Sequence, residues 1–145
     1  MPKERDAISI LNIPIKGTAP TNNQVLAYVS ATKEIAWTGI RVQSVTDAAT
    51  VTPNADTNDC VDVTAIAQPV LFDIPGGTPV NFQQLIIRIK DNGTSRAITW
   101  NAAYVAGGVA LPSATVISKI LTITLRYNTA NSLNKWQCIA TAQEA

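Results

Sequence analysis

The sequence contains no histidine. That absence excludes Ser-His and Cys-His nucleophilic sites, histidine zinc sites and the usual general base near neutral pH. Charge is scarce as well. Charged residues are 14% of the 145, well under the globular average of about 25%, so neutral Thr, Asn, Ser, Gln and Ala must cover much of the surface. Eleven basic and ten acidic residues leave a net charge of +1 with no Lys/Arg cluster, which argues against a nucleic-acid partner, whose affinity comes from neutralising phosphates. No run of about 20 apolar residues occurs, so no transmembrane helix is expected. The charged start Met1-Pro2-Lys3-Glu4-Arg5-Asp6 and the broken apolar stretch that follows do not read as a signal peptide, so cytoplasmic synthesis is expected. Cys60 and Cys138 are then read as free thiols, with a bridge between neighbouring strands the alternative.

What is present is β texture. From residue 40 onward, short runs rich in Val, Ile and Thr are separated every ten or so residues by Pro, Gly, Asn and Asp. The expected strands lie near 41–52, 60–66, 69–73, 83–90, 96–101, 117–127 and 135–143. The expected fold is all-β, an antiparallel, jelly-roll-like β-sandwich over 41–145. Residues 1–22, with Pro2, Pro14, Pro20 and Gly17, read as an extended N-terminal arm, and 23–40 as a short strand-turn-strand element. A helix over 23–36 competes for that stretch, because Leu26, Val29 and Lys33 would share a face, but Lys33 spoils the stripe.

Asn92-Gly93 between alternating flanks predicts a type I′ hairpin turn joining 83–90 to 96–101. Leu85, Ile87 and Ile89 would face inward and Arg88 and Lys90 outward, with Ile98 and Trp100 continuing the apolar face. The same alternation runs through Ile117, Lys119, Leu121, Ile123 and Leu125, with Lys119 breaking the inner face at the strand's start, where it can reach solvent. Asn92-Gly93-Thr94 also matches a glycosylation acceptor, but without a signal peptide it reads as a turn.

Chemistry is thin. Asp56, Asp59 and Asp62 are the closest approach to a calcium site, yet an Asx cap explains Asp56, and the other two fall on opposite faces of a strand. Asp47, Asp73 and Asp91 form no recognisable acid and base pair. The loops at Pro75-Gly76-Gly77-Thr78-Pro79 and Ala106-Gly107-Gly108-Val109 lack the Lys-Ser/Thr of a phosphate cradle and read as turns. No catalytic residue, cofactor or metal is expected. Trp100 and Trp136 read as core; Trp37 and Tyr104 are the candidate surface aromatics.

Several of these residues together resemble a known module. Pro53-Asn54-Ala55-Asp56-Thr57, Val63-Thr64-Ala65, Leu85 to Gly93, Thr99-Trp100-Asn101, Tyr104, Leu111-Pro112, Tyr127-Asn128 and Trp136 to Glu144 are similar to a β-sandwich module of tailed-bacteriophage virion proteins. The resemblance covers residues 46–144. Ala19 to Leu26 with Ser30-Ala31-Thr32 resembles a strand-turn-strand element of phage fibres, where Trp37 would match its usual aromatic. Val105, Cys60 and Cys138 depart from the pattern.

The resemblance implies a virion component, commonly a homotrimer displayed on the particle, and it transfers no catalytic residue. Members occur in tail fibres, spikes and head-surface proteins. The short chain favours a trimeric capsid decoration or cement protein bound to the major capsid protein or another virion protein. The alternative is a tail-fibre or tailspike knob binding a host receptor or glycan. In the first reading, Ile8, Ile10, Leu11, Ile13 and Ile15 form a capsid-binding arm, since apolar residues in an extended segment gain stability only under another surface. No nucleic-acid or membrane partner is expected.

Overall fold

The computed structural model describes residues 15–16, 25–29 and 34–144, with side chains from residue 39 onward except that of residue 131. Among these residues the secondary structure is β, apart from one 3-10 turn over Ala130–Ser132. The chain divides between Ile40 and Arg41 into two compact units.

In the first unit, β2 (Val25–Val29) and β3 (Glu34–Thr38) run antiparallel, with Val29 opposite Glu34. The described part of 23–36 is therefore strand, not the competing helix. A two-residue strand, β1 (Ile15–Lys16), lies parallel to β3 with Ile15 beside Ile35. Ile15, expected in the arm, is thus a sheet residue. Ile8, Ile10, Leu11 and Ile13 lie outside the described residues, as does the side chain of Trp37.

The second unit holds β4 (Val42–Val45), β5 (Thr50–Val51), β6 (Cys60–Ile66), β7 (Val70–Phe72), β8 (Gln84–Asp91), β9 (Ile98–Trp100), β10 (Tyr104–Ala106), β11 (Leu121–Asn128) and β12 (Lys135–Gln143). They form a six-stranded sheet in the order β10-β12-β11-β8-β6-β4 and a three-stranded sheet in the order β5-β7-β9. From β4 to β9 the chain changes sheet at every strand. Each strand then lands parallel to the strand two places earlier. This part of the chain is coiled, with three turns that each supply one strand to each sheet. Only β11 departs, running antiparallel to both β8 and β12, while β10 closes the far edge parallel to β12.

The expected antiparallel, jelly-roll-like arrangement is therefore corrected to a mixed six-stranded sheet and a parallel three-stranded one. Period-two alternation fixes which side chains are buried but is identical for parallel and antiparallel neighbours. The expected hairpin fails for the same reason. β8 is flanked by β6 and β11, whereas β9 pairs with β7 in the other sheet. Gly93 has φ +97, but Asn92 is not in the left-handed region, so the type I′ requirement for two positive φ values is unmet. Asn92-Gly93 is a crossing from one sheet to the other.

Other boundaries move too. The expected strand over 41–52 is two strands, β4 and β5, and β11 begins at Leu121, later than expected. Ile117, expected inward, is exposed, because Val116 to Lys119 is a turn closed by Lys119 N–H on Val116 O, with Ser118 at φ 60.

Both sheets feed one buried cluster. The six-stranded sheet contributes Val61, Val63, Ile66, Leu85, Ile87, Ile89, Leu121, Ile123, Leu125, Trp136 and Cys138; the smaller one adds Val51, Val70, Phe72 and Ile98. A register irregularity between Val63 and Ile66 changes the alternation of β6 partway, which keeps Ile66 inside. Aromatic rings tie the smaller sheet to β10: Phe72 stacks on Trp100 at 4.8 Å, and Trp100 meets Tyr104 edge-on at 5.2 Å.

Candidate binding surface

The loop joining β7 to β8, residues 73–83, is fastened along its length. Gly76 N–H donates to Pro53 O, Ala55 N–H donates to Gly76 O, and Thr78 N–H donates to Asp56 Oδ1 at 2.8 Å. Gln83 works in two directions, accepting Val80 N–H on Oε1 at 2.9 Å and donating from Nε2 to Ala55 O at 2.6 Å. Phe82 N–H donates to Tyr127 O, and Tyr127 N–H returns a bond to Gln83 O, so the loop end is stitched to the end of β11.

This well-held loop presents apolar side chains to solvent: Ile74 is 58% exposed, Val80 67% and Phe82 68%. Phe82 is held at φ 68, a left-handed conformation that a bulky residue adopts only where its surroundings impose it. Two further non-glycine residues with positive φ, Ser132 and Asn134, lie in the turn between β11 and β12. Ile74, Pro75, Pro79, Tyr127, Asn134 and Trp136 line a cleft of about 170 Å³ at this end of the unit. The Tyr127 ring packs on Trp136, which is itself buried.

Gly77 is the residue that lets the loop close. Its φ is +96, and a β-carbon there would stand 2.6 Å from the Asp56 carboxyl carbon. Gly77→Ala is expected to destabilise the protein by about 2 kcal/mol through backbone strain and displacement of Asp56 from Thr78. Thermal unfolding checks this, and an unchanged midpoint would show that the loop closes without that conformation.

Tyr104, expected as a surface aromatic, is buried at 4% exposure. Its hydroxyl donates to Asp73 O at 2.9 Å, and burial, followed by the Asp73 charge, pushes its phenol well above the ordinary range. The reason is β10, a short strand not expected from the sequence, which carries Tyr104 against Trp136. Trp136 is core as expected, and Trp100 is a half-buried residue packed against the core.

The acidic triplet is dispersed among three partners. Asp56 serves Thr78, while Asp59 takes the Arg41 guanidinium in a two-pronged pair at 2.6 and 3.0 Å. Asp62 takes Arg88 the same way at 2.6 and 2.8 Å. Hydrogen bonds from those arginines hold both Asp59 and Asp62 below the usual carboxylate range. Among the described residues, no group of three His, Cys, Asp or Glu is placed to hold a metal ion. Asp47 accepts Ala67 N–H and the Gln68 amide, and Asp73 accepts Ile74 N–H and the Asn101 amide, so these carboxylates organise loops. Cys60 and Cys138 are free, and burial raises both thiols.

The exposed residues Ile74, Val80 and Phe82 were not legible as a surface. The Pro75 to Pro79 segment announces a turn, and nothing in its composition says that the turn is rigid. No protein-family model matches the chain, and no curated protein matches it.

Proposed function

We propose that the chain is a structural component of a tailed-bacteriophage virion, a homotrimeric decoration protein of the outer head surface without enzymatic activity. In this reading the two sheets of residues 41–145 pack as a β-sandwich that projects outward, and the N-terminal arm lies on the shell. The observation that supports it is that both sheets of the second unit close on one buried cluster, as a self-contained outward module would. Its buried cluster and the side chains packed on that cluster are drawn from the stretch between Val45 and Cys138. In this reading the apolar residues Ile8, Ile10, Leu11 and Ile13 of the arm serve a partner surface. The resemblance to virion modules rests on the residues that build the two sheets and their loops.

A trimer contact along the β4 edge fits the same reading. β4 ends the six-stranded sheet, and its sequence Val-Gln-Ser-Val contains no lysine, proline or other feature that blunts an edge. Val42 is 51% exposed.

The test adds purified protein to undecorated phage shells and to host cells, with the oligomer measured by light scattering. The full chain is expected to be a trimer that binds shells, and a variant lacking residues 1–14, which keeps β1, is expected to remain a trimer that no longer binds them. Shell binding at full affinity by the truncated protein would dismiss the arm as the anchor. A concentration-independent monomer would remove the trimer. The second reading, a tail-fibre or tailspike knob for a host glycan, loses Tyr104 to the interior but gains the exposed ring of Phe82. Binding to cells and not to shells would favour it.

A further inference from the structure

Several cations of the second unit sit beside acidic groups. Arg41 and Arg88 are paired with Asp59 and Asp62, and Arg96 donates to Asn92 beside the charge of Asp91. Arg126 and Lys135 have no carboxylate partner among the described residues; the Lys135 ammonium donates to Ala102 O at 2.9 Å and keeps its charge uncompensated. They share one region. Arg126 lies opposite Gln84 on β8 and Gln137 on β12, and Lys135 lies opposite Asn128 on β11. All occupy the outer face, since the residues alternating with them, Leu85, Leu125 and Trp136, are buried. Diagonal positions on such a face are about 7–8 Å apart, within reach of one small ligand.

Phe82 completes the face. Its ring is 68% exposed, and the Arg126 guanidinium lies 5.6 Å from its centroid. Asn128 donates to Gln137 Oε1 at 2.8 Å, which holds the Gln137 amide by its oxygen. The face thus combines an aromatic plane, oriented amides and two cations lacking a counter-charge. β8 and β11 are interior strands, and beside Arg126 β12 is paired with β11 on one side and, through Trp136–Cys138, with β10 on the other, so an acidic peptide has no edge to join at this face. Only side-chain recognition is open.

We infer that this face binds a carboxylated saccharide. The pyranose C–H face rests on Phe82, the ring carboxylate meets Arg126 with Lys135 adding attraction, and hydroxyls bond to Gln84 and Gln137. These side chains carry the inference whether the chain sits on a head or a tail, and shell binding does not test it.

The test titrates the full chain with trigalacturonate, with neutral maltotriose and with hexaglutamate, following binding by calorimetry and NMR. Saturable binding of trigalacturonate alone is expected. Arg126→Gln and Phe82→Gly should each weaken it about tenfold, a change of 1.4 kcal/mol. Glycine is chosen because it takes φ 68 without strain, and equal melting temperatures certify the fold. No saturable binding of trigalacturonate would overturn the inference, as would equal binding of maltotriose or insensitivity to both variants. Equal binding of hexaglutamate would replace the saccharide with an acidic peptide and overturn it too.

Discussion

Replacing Phe72 with alanine is expected to destabilise the two-sheet unit by about 4 kcal/mol, since large-to-small changes at a buried aromatic combine lost transfer energy with a cavity. The site has little freedom to collapse. Phe72 is fully buried in the last position of β7, stacked at 4.8 Å on Trp100 in the adjoining strand. Trp100 is pinned from the other side, because its indole N–H donates to Pro112 O at 2.7 Å and its ring meets Tyr104. The Tyr104 hydroxyl in turn holds the main chain of Asp73, the residue after Phe72. The loss should therefore spread into the loop at 73–83. Urea unfolding measures it, with the slope of the transition confirming that the same surface is exposed. Phe72→Leu should cost about half as much. A loss below about 1.5 kcal/mol for the alanine variant would show that the aromatic cluster rearranges around the cavity.

The sequence made strand positions legible where alternation met clear punctuation. β6 over Cys60–Ile66 and β12 over Lys135–Gln143 are bounded as their flanking Asp, Gln-Pro and Asn residues suggest. Strand partners were not legible. A run such as Leu85, Ile87 and Ile89 buries the same side chains whether its neighbour is parallel β6 or antiparallel β11. Asn92-Gly93 misled because a local turn signal was read as a global pairing. The side chain that holds the segment, Asp91, binds Gly93 nearby but also Thr115 and Ser118 far along the chain, and periodicity cannot register those distant partners. Tyr104 was misplaced for a related reason: three residues bracketed by Asn101 and Gly107 look like a loop until β12 arrives beside them.

The binding surface was less legible still. Phe82 is exposed with a left-handed backbone, and its N–H is held by Tyr127 O, 45 positions later. The cationic face exists because register places Arg126 between Gln84 and Gln137. Alternation along any one strand shows an outward residue but not its neighbours.

Asp91 offers the second large effect, with a defined dependence on pH. It is 3% exposed and accepts Ser118 N–H at 2.8 Å, Gly93 N–H at 2.9 Å and the Thr115 hydroxyl at 2.8 Å. Asp91→Ala leaves the buried Thr115 hydroxyl and two part-buried N–H groups without their acceptor, and is expected to cost about 3 kcal/mol, since hydrogen bonds to a charged group are worth about 1.5–3 kcal/mol. Burial is the largest single influence on this carboxyl and pushes it up. The Ser118 and Gly93 bonds, the Thr115 hydroxyl and the Arg96 charge together outweigh burial and leave it below its ordinary value. A carboxyl depressed in the folded state supplies stability that is complete above its unfolded value, about 3.9, and is lost as pH falls through the folded value. Below about pH 4, the parent should therefore lose stability relative to Asp91→Asn, which keeps an acceptor oxygen but does not titrate there. Asp59 and Asp62, held low by their arginines, are common to both proteins and cancel in the difference. Denaturant unfolding of the pair between pH 7 and pH 2.5 reads the effect. A constant gap would mean that the carboxyl keeps the same protonation in the folded and unfolded chains, and that its three bonds act only as geometry.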